Sequence, residues 1–391
     1  MQWYDLLQVL INFSALSWAF QLIFVTWNLS QWRGLKPASR MSFEISVNTK
    51  ISVLIPARNE ESRIRACIDS LKAQTDNHFE VIVLDDGSTD GTAMVLEDLS
   101  REYPLLKVES GTSLPEDWFG KPYACWQLAG HATGEWLLFL DADTRLHPDA
   151  IRRLRIEAME SGYHLVSGFG RLSGPSKASL LLTSLMAFVV AMHLPVRLVS
   201  HTQDPRFVAA NGALLFIQKS MYDRIGGHKS QRQDLVEDMG IARTVKTAGG
   251  KVALRNLSEI LATEMYDSFG DAWRGYQKNS FPGIGKSYAI LVGIELYYTT
   301  LFMLPWVVLG ISLFAALQGG HLPTLLWVGM SSWSVLCGAV AKRLVDSRFA
   351  IPCRISLAFP LSVFLMMAVL FQSAFRCTFR LGYVWKGRVY S

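Results

Sequence analysis

Trp136-Leu137-Leu138-Phe139-Leu140-Asp141-Ala142-Asp143 is a run of five apolar residues that ends on two carboxylates. An apolar run of that length bounded by polar residues reads as a buried strand. Two earlier stretches have the same form. Ile51-Ser52-Val53-Leu54-Ile55 leads into Pro56-Ala57-Arg58-Asn59-Glu60-Glu61, and Val81-Ile82-Val83-Leu84 leads into Asp85-Asp86-Gly87-Ser88-Thr89-Asp90-Gly91-Thr92. Helical patterns fill the gaps: Glu61 to Gln74, with Ile64, Cys67, Ile68 and Leu71 on one face, and Ala93 to Leu99. Strand, helix, strand, helix predicts an α/β domain with a mostly parallel sheet and flanking helices. Ligands of such sheets bind beyond the carboxyl ends of the strands, where all three polar clusters fall.

Each cluster has a chemical reading and a plainer one. Asp141 and Asp143, spaced i, i+2, suit a hard cation such as Mg²⁺ or Mn²⁺ that bridges to substrate phosphates; the alternative is a turn residue followed by a helix cap. Ser88-Thr89-Asp90 reads as an N-cap with glycines for the turn. That leaves unexplained why Asp85 and Asp86 stand together, since like charges disfavour one another without a cation or polar ligand. Glu237-Asp238 precedes a helical pattern through Ile241 and Val245. It either complements the helix N-terminus or supplies a general base.

The rest of the chain sits in a different solvent. Of 391 residues 50% are hydrophobic and only 18% charged, below the charge content of ordinary soluble domains. Trp3 to Leu29 carries one charge, Asp5, and is followed by Arg33, Lys36 and Arg40. Residues 1–32 therefore read as a retained N-terminal anchor with the N-terminus outside. A soluble catalytic unit follows at 45–285, interrupted at 178–199 by an apolar stretch that is either a span or an interfacial helix. Residues 289–375 hold three transmembrane or re-entrant segments, Leu296 to Leu317, Leu322 to Ala341 and Ile355 to Phe375. Gln318-Gly319-Gly320-His321 and a basic stretch with Lys342, Arg343, Arg348 and Arg354 separate them, and a basic tail fills 376–391. Both basic stretches belong in the cytoplasm although one apolar segment divides them; Pro360 within it suggests a hairpin instead of a full span. Five cysteines without metal or disulfide spacing fit a reducing compartment. A net charge of +5 does not indicate nucleic acid and suits an anionic membrane surface or a phosphorylated substrate.

Taken in order, Ile55 to Glu60, Asp85 to Thr92, Trp118-Phe119-Gly120-Lys121, Leu140 to Asp143, Asn211-Gly212-Ala213 and Glu237-Asp238 resemble the family 2 glycosyltransferases, which have a GT-A nucleotide-sugar fold. The resemblance covers roughly residues 50–285. It implies that Pro56, Arg58, Glu60 and Asp86 line a nucleotide pocket with Asp85 nearby, and that Asp141 and Asp143 hold Mg²⁺ or Mn²⁺. It further implies that Lys121 approaches the donor pyrophosphate, that Asn211 and Gly212 border the sugar, and that Asp238, beside Glu237, is the base of an inverting transfer. Trp118, Lys278, Asn279, Trp385, Lys386 and Arg388 are further candidates. Gly275 to Phe281 lacks the Q-x-x-R-W of processive synthases, whereas Lys278-Asn279 and Val384-Trp385-Lys386-Gly387-Arg388 look similar to bacterial carotenoid and hopanoid glycosyltransferases. The resemblance implies a nucleotide-sugar donor, with a UDP-sugar favoured as a prior. Apolar segments at both ends would hold the site against the bilayer, which points to a membrane lipid acceptor and a catalytic domain on the cytoplasmic face of a bacterial cell membrane. The competing acceptor classes are a polyprenyl phosphate and a growing polysaccharide. A rival from another reaction class is a haloacid-dehalogenase-like phosphatase, whose opening D-x-D-x-T resembles Asp141-Ala142-Asp143-Thr144 with the threonine one place early.

Overall fold

A computed structural model describes residues 3–37, 49–174, 176–319 and 322–390. The expected start of the catalytic unit at 45, Arg40, and Gly320-His321 of the expected connection lie outside the described residues. In chain order the strands of the middle unit are β1 (Ile51–Ala57), β2 (Phe79–Asp85), β3 (Leu106–Ser110), β4 (Trp136–Leu140), β5 (Thr144–Leu146), β6 (Leu165–Phe169), β7 (Arg171–Leu172), β8 (Leu214–Gln218), β9 (Val252–Asn256) and β10 (Leu261–Thr263). Seven form one sheet in the order β3-β2-β1-β4-β8-β6-β9, and β5, β10 and β7 form a small second sheet. β1, β2 and β4 are apolar along nearly their whole length because helices cover both faces of the parallel part.

This order gathers the polar clusters. β1 pairs in parallel with β2 on one side and β4 on the other, so the loops after Ala57, Asp85 and Leu140 open on one edge, at the point where strand order reverses. β8 runs antiparallel to β4, with Leu214 opposite Leu140. Its leading residues Asn211 and Gly212 therefore reach the same edge from the opposite chain direction.

Four helices are long and apolar enough to cross a membrane among the described residues: Tyr4–Gln31, Tyr288–Leu317, Leu325–Arg348 and Phe359–Thr378. The first and third run side by side in the same direction. The Tyr4 ring lies 4.7 Å from that of Trp327 at one end, and Trp32 meets Phe349 at 5.2 Å at the other. The stretch 178–199 is not one continuous helix, and its apolar helical part, Leu180–His193, is shorter than the four above. Ser184, and then Leu194 and Pro195, divide it into Leu180–Thr183, Leu185–His193 and Val196–His201.

Two expectations about the C-terminal region are corrected. The second apolar segment begins at Tyr288, earlier than expected, and continues to Leu317 through a π turn at Thr299–Met303. The basic stretch 342–348 is no connecting loop but the last turns of the helix ending at Arg348. Lys342 and Asp346, 0% and 1% exposed, pair one helical turn apart. Ser184 Oγ accepts from Lys342 Nζ at 3.1 Å, and Ser356 Oγ donates to Asp346 at 2.7 Å. This pair ties three helices together, and removing one partner strands a buried charge. Lys342→Ala is expected to cost about 3 kcal/mol, seen as a lowered thermal midpoint, and Lys342→Met with Asp346→Leu to recover most of it.

Helix Phe359–Thr378 starts with Pro360 in its first turn, where proline is tolerated, and does not bend back on itself. Its approach and exit both come from the catalytic unit. Before it, the carbonyl of Arg348 accepts from Ser258 Oγ at 3.0 Å. The chain then dips inward, placing the Phe359 ring against Trp18 and Gly338. Near its end, Ser373 Oγ accepts from the Phe281 N–H at 3.1 Å, and after it the tail returns to the sheet edge.

Candidate functional site

The loops after β1 and β2 are laced together by their own side chains. Asn59, in the left-handed region at φ 51, accepts from the Thr89 N–H at 2.8 Å, and its own N–H donates to Ser88 Oγ at 3.0 Å. Glu60 N–H donates to Thr92 Oγ1 at 2.8 Å. The Asp85 carboxylate accepts from both the N–H and Oγ of Ser88, at 2.9 and 2.6 Å, and so is spent on its own turn. Asp86, 5% exposed, faces the cavity instead. The two adjacent acids thus point different ways, and the cavity-facing one meets Arg388.

The cavity has a volume of about 1500 Å³. Arg58, Glu60, Asp86, Asp141, Asp143 and Asp238 line one end. Lys121, in the first turn of helix Gly120–His131, reaches Asp141 Oδ1 at 2.8 Å and Glu237 Oε1 at 3.3 Å. Burial works against its charge, but Asp141 and then Glu237 hold the ammonium protonated well above its usual range. Gly212 leaves room for this approach: a Cβ there would lie 2.8 Å from Lys121 Nζ, which would have to shift. Asn211 Oδ1 accepts from the Ala213 N–H at 3.0 Å and stiffens that turn.

Asp143 Oδ1 is buried without a hydrogen-bond partner, as is Glu60 Oε2. Burial, then Asp141 and Glu60, push the Asp143 carboxyl up to about 7. An unmatched buried carboxylate oxygen among like charges is a donor that Mg²⁺ or Mn²⁺ accepts. No group of three His, Cys, Asp or Glu among the described residues is arranged to hold a metal. The residues therefore fit a cation that takes its other ligands from substrate phosphates, as Mg²⁺ commonly does. Asp238 is likewise raised to about 7, by burial and then by Glu237, with Lys121 opposing.

Of the further candidates, Lys278 and Asn279 line the cavity from helix Phe269–Gly283. Burial pulls the Lys278 amine down to about 8. Lys386 and Arg388 line it from the tail. Trp118 packs against Tyr123 and Trp126 at 5.2 and 5.5 Å and is not among the lining residues; the adjacent Phe119 is. The Trp385 side chain lies outside the described residues. Sequence reading missed Arg63, which pairs with Asp267 at 2.6 Å beside Glu60; its i, i+3 spacing from Glu60 was the available signal. Nothing local marked Asp267 or Tyr266, which also face the cavity.

Residues 52–236 match the family model "Glycosyl transferase family 2". The chain carries a family 2 glycosyltransferase domain. The phosphatase-like D-x-D-x-T would need threonine at position 145, where Arg145 stands. Thr144, one place early, is fully buried and donates to the Asp141 carbonyl at 2.6 Å, and with the family match the phosphatase reading is set aside. Among curated relatives of this transferase, 4,4'-diaponeurosporenoate glycosyltransferase of Staphylococcus aureus strain MRSA252 is 29% identical over 355 residues, covering 87% of this chain and 88% of that protein. The protein of the same name from strain USA300 is 30% identical over 247 residues, covering 60% of this chain and 62% of that one. Among solved structures, a mannosyltransferase from Pyrobaculum calidifontis in complex with GDP-Man and Mn²⁺ superposes with a TM-score of 0.53 at 16% identity, covering 93% of this chain and 99% of that one. The glycosyltransferase fold is thus of the GT-A kind, with apolar helices added at both ends.

Proposed function

We propose that this enzyme moves a sugar from a nucleotide-sugar donor, a UDP-sugar favoured, onto a lipid acceptor at the cytoplasmic face of a bacterial membrane, with inversion at the anomeric carbon. The observation that carries this reading is the continuity of one cavity. The space that begins at Asp86, Asp143 and Asp238 continues between apolar side chains such as Met186, Val190, Ile294, Val363, Met366 and Leu370. A charged donor and a long apolar acceptor fit its two ends, and the relatives' name, a carotenoid glycosyltransferase, supports the latter.

In this reading Asp86, Glu60 and Arg58 hold the nucleoside, and Pro56 closes the pocket beside them. Asn211 and Gly212 border the sugar, and Lys121 faces the diphosphate. Asp141 and Asp143 would hold a divalent cation, which would supply positive charge against that developing on the departing diphosphate. The acceptor oxygen attacks the anomeric carbon while the bond to the diphosphate oxygen breaks. Asp238, with Glu237 beside it, takes the acceptor's proton.

Helix direction supports this orientation. With Tyr4–Gln31, Tyr288–Leu317 and Leu325–Arg348 taken as crossings and Phe359–Thr378 as entering and leaving from the catalytic side, the catalytic unit and the tail would lie on one side. Arg33, Lys36, Arg343, Arg348, Arg354, Arg376 and Arg380 then all fall on the catalytic side, which the positive-inside rule makes cytoplasmic.

The test is nucleotide release from UDP-, GDP- and dTDP-sugars by membrane vesicles supplied with Mn²⁺ and lipid extract. Inverted vesicles are expected to release one nucleotide in a lipid-dependent way. Sealed right-side-out vesicles should stay silent, because nucleotide-sugars do not cross the bilayer; equal activity in both would sink the orientation. Gly293 lines the cavity, and a Cβ there meets nothing within 4 Å. Gly293→Phe is therefore expected to fill acceptor space, lowering lipid-dependent transfer about tenfold while nucleotide affinity is unchanged.

A further inference from the structure

The tail reaches the site as a hairpin, β11 (Tyr383–Trp385) and β12 (Arg388–Tyr390), with Trp385 opposite Arg388. Its two-residue turn, Lys386-Gly387, has φ of 47 and 77, the left-handed pair that tight hairpins need. The turn sets two cations on two carboxylates. Lys386 Nζ pairs with Glu60, and the Arg388 guanidinium forks across Asp86, with Nη2 donating to Oδ1 at 2.9 Å and Nη1 to Oδ2. Arg58 Nε donates to the Lys386 carbonyl at 3.0 Å, and Arg376 Nη2 donates to the Gly382 carbonyl at 2.6 Å, fixing the hairpin at tip and root. Gly120 makes room for this arrangement, since a Cβ there would overlap Arg388 Nη1.

Glu60 and Asp86 are 6% and 5% exposed, and both are acceptors suited to nucleoside N–H and O–H groups. While Arg388 covers Asp86, that carboxylate is not open to a nucleoside. A diphosphate entering the same end meets Asp141, Asp143, Glu237 and Asp238, and Lys121 there is already shared between Asp141 and Glu237. A guanidinium matches phosphate oxygens as well as it matches a carboxylate. We propose that the C-terminal hairpin is an exchangeable occupant of the donor site: a nucleoside diphosphate displaces Arg388 and Lys386 from Asp86 and Glu60, and the two cations close onto its phosphates. This rests on the nucleotide-sugar reading above. It gives Lys386 and Arg388 two alternating partners, so that each carboxylate is neutralised before the donor arrives and freed to bind it afterwards.

The experiment is calorimetric titration of the full chain in detergent, at constant Mn²⁺, with uridine and with UDP. Arg388→Gln and Lys386→Gln are each expected to weaken UDP about tenfold. Uridine, which has no phosphate and gains an open Asp86, should bind as well or better to Arg388→Gln, so the ratio of UDP to uridine affinity falls at least tenfold. Arg388→Lys should give an intermediate ratio. The uridine arm also reports whether each variant keeps a folded pocket, and Lys386→Gln serves where Arg388→Gln does not. If the ratio stays at its original value in both variants, the exchange is wrong while the donor reading stands. If UDP, GDP and dTDP all fail to bind the unaltered chain, the donor reading falls and the exchange with it.

Discussion

Asp143→Ala is expected to lower sugar transfer by about a thousandfold or more, the loss corresponding to several kcal/mol of transition-state charge stabilisation. The reason begins in β4, whose five buried residues end at Leu140 and deliver Asp141 and Asp143 to the sheet edge. Asp143 keeps one oxygen buried without a hydrogen bond, beside Asp141 and Glu60. A protein does not gain stability from such a group. Its carboxyl is pushed up to about 7 because burial and two like charges disfavour ionisation. The same substitution is therefore expected to raise, or leave unchanged, the thermal midpoint measured in chelator at pH 8. Lost activity with retained or increased stability marks a group kept for a cation. A variant that transfers sugar at a tenth of the original rate or better would remove Asp143 from the metal site.

Asp238→Asn is expected to lower transfer to a hydroxyl acceptor by about a hundred- to ten-thousandfold, with UDP affinity within about twofold of the original. Asp238 lies in the first turn of helix Glu237–Thr247, next to Gly212, and its carboxyl is raised to about 7 by burial and then by Glu237. A base must be unprotonated to accept a proton, so the rate of the unaltered enzyme should fall as pH drops below about 7, and the residual rate of Asp238→Asn should lack that limb. The outcome also discriminates acceptors. An acceptor whose oxygen is already ionised, a phosphate or a carboxylate, needs no base. Near-normal transfer by Asp238→Asn would assign the acceptor to that class instead of to the hydroxyl lipids.

The gross plan of this protein was legible in its sequence because it rests on local regularities. Buried parallel strands are continuous apolar runs, and the βαβ rhythm obliges their polar ends to share an edge. Arg58 to Glu60, Asp86 and Asp141 to Asp143 could therefore be grouped without coordinates, as could the apolar helices at either end. What distinguishes Asp85 from Asp86 is not local in that sense: Ser88 engages one and Arg388, three hundred residues later, engages the other. Hydrophobic periodicity likewise does not say whether Lys342 faces water or Asp346, since a buried ion pair and a solvated basic turn have the same composition. Nor does it give the direction in which a helix leaves. Phe359–Thr378 has the length of a crossing, yet the contacts of Arg348 before it and of the hairpin after it return the chain to the catalytic side. Composition reports the solvent a segment prefers; only the packing of surfaces remote in sequence decided which carboxylates face the cavity, which cations meet them, and that one space joins the charged site to the apolar helices.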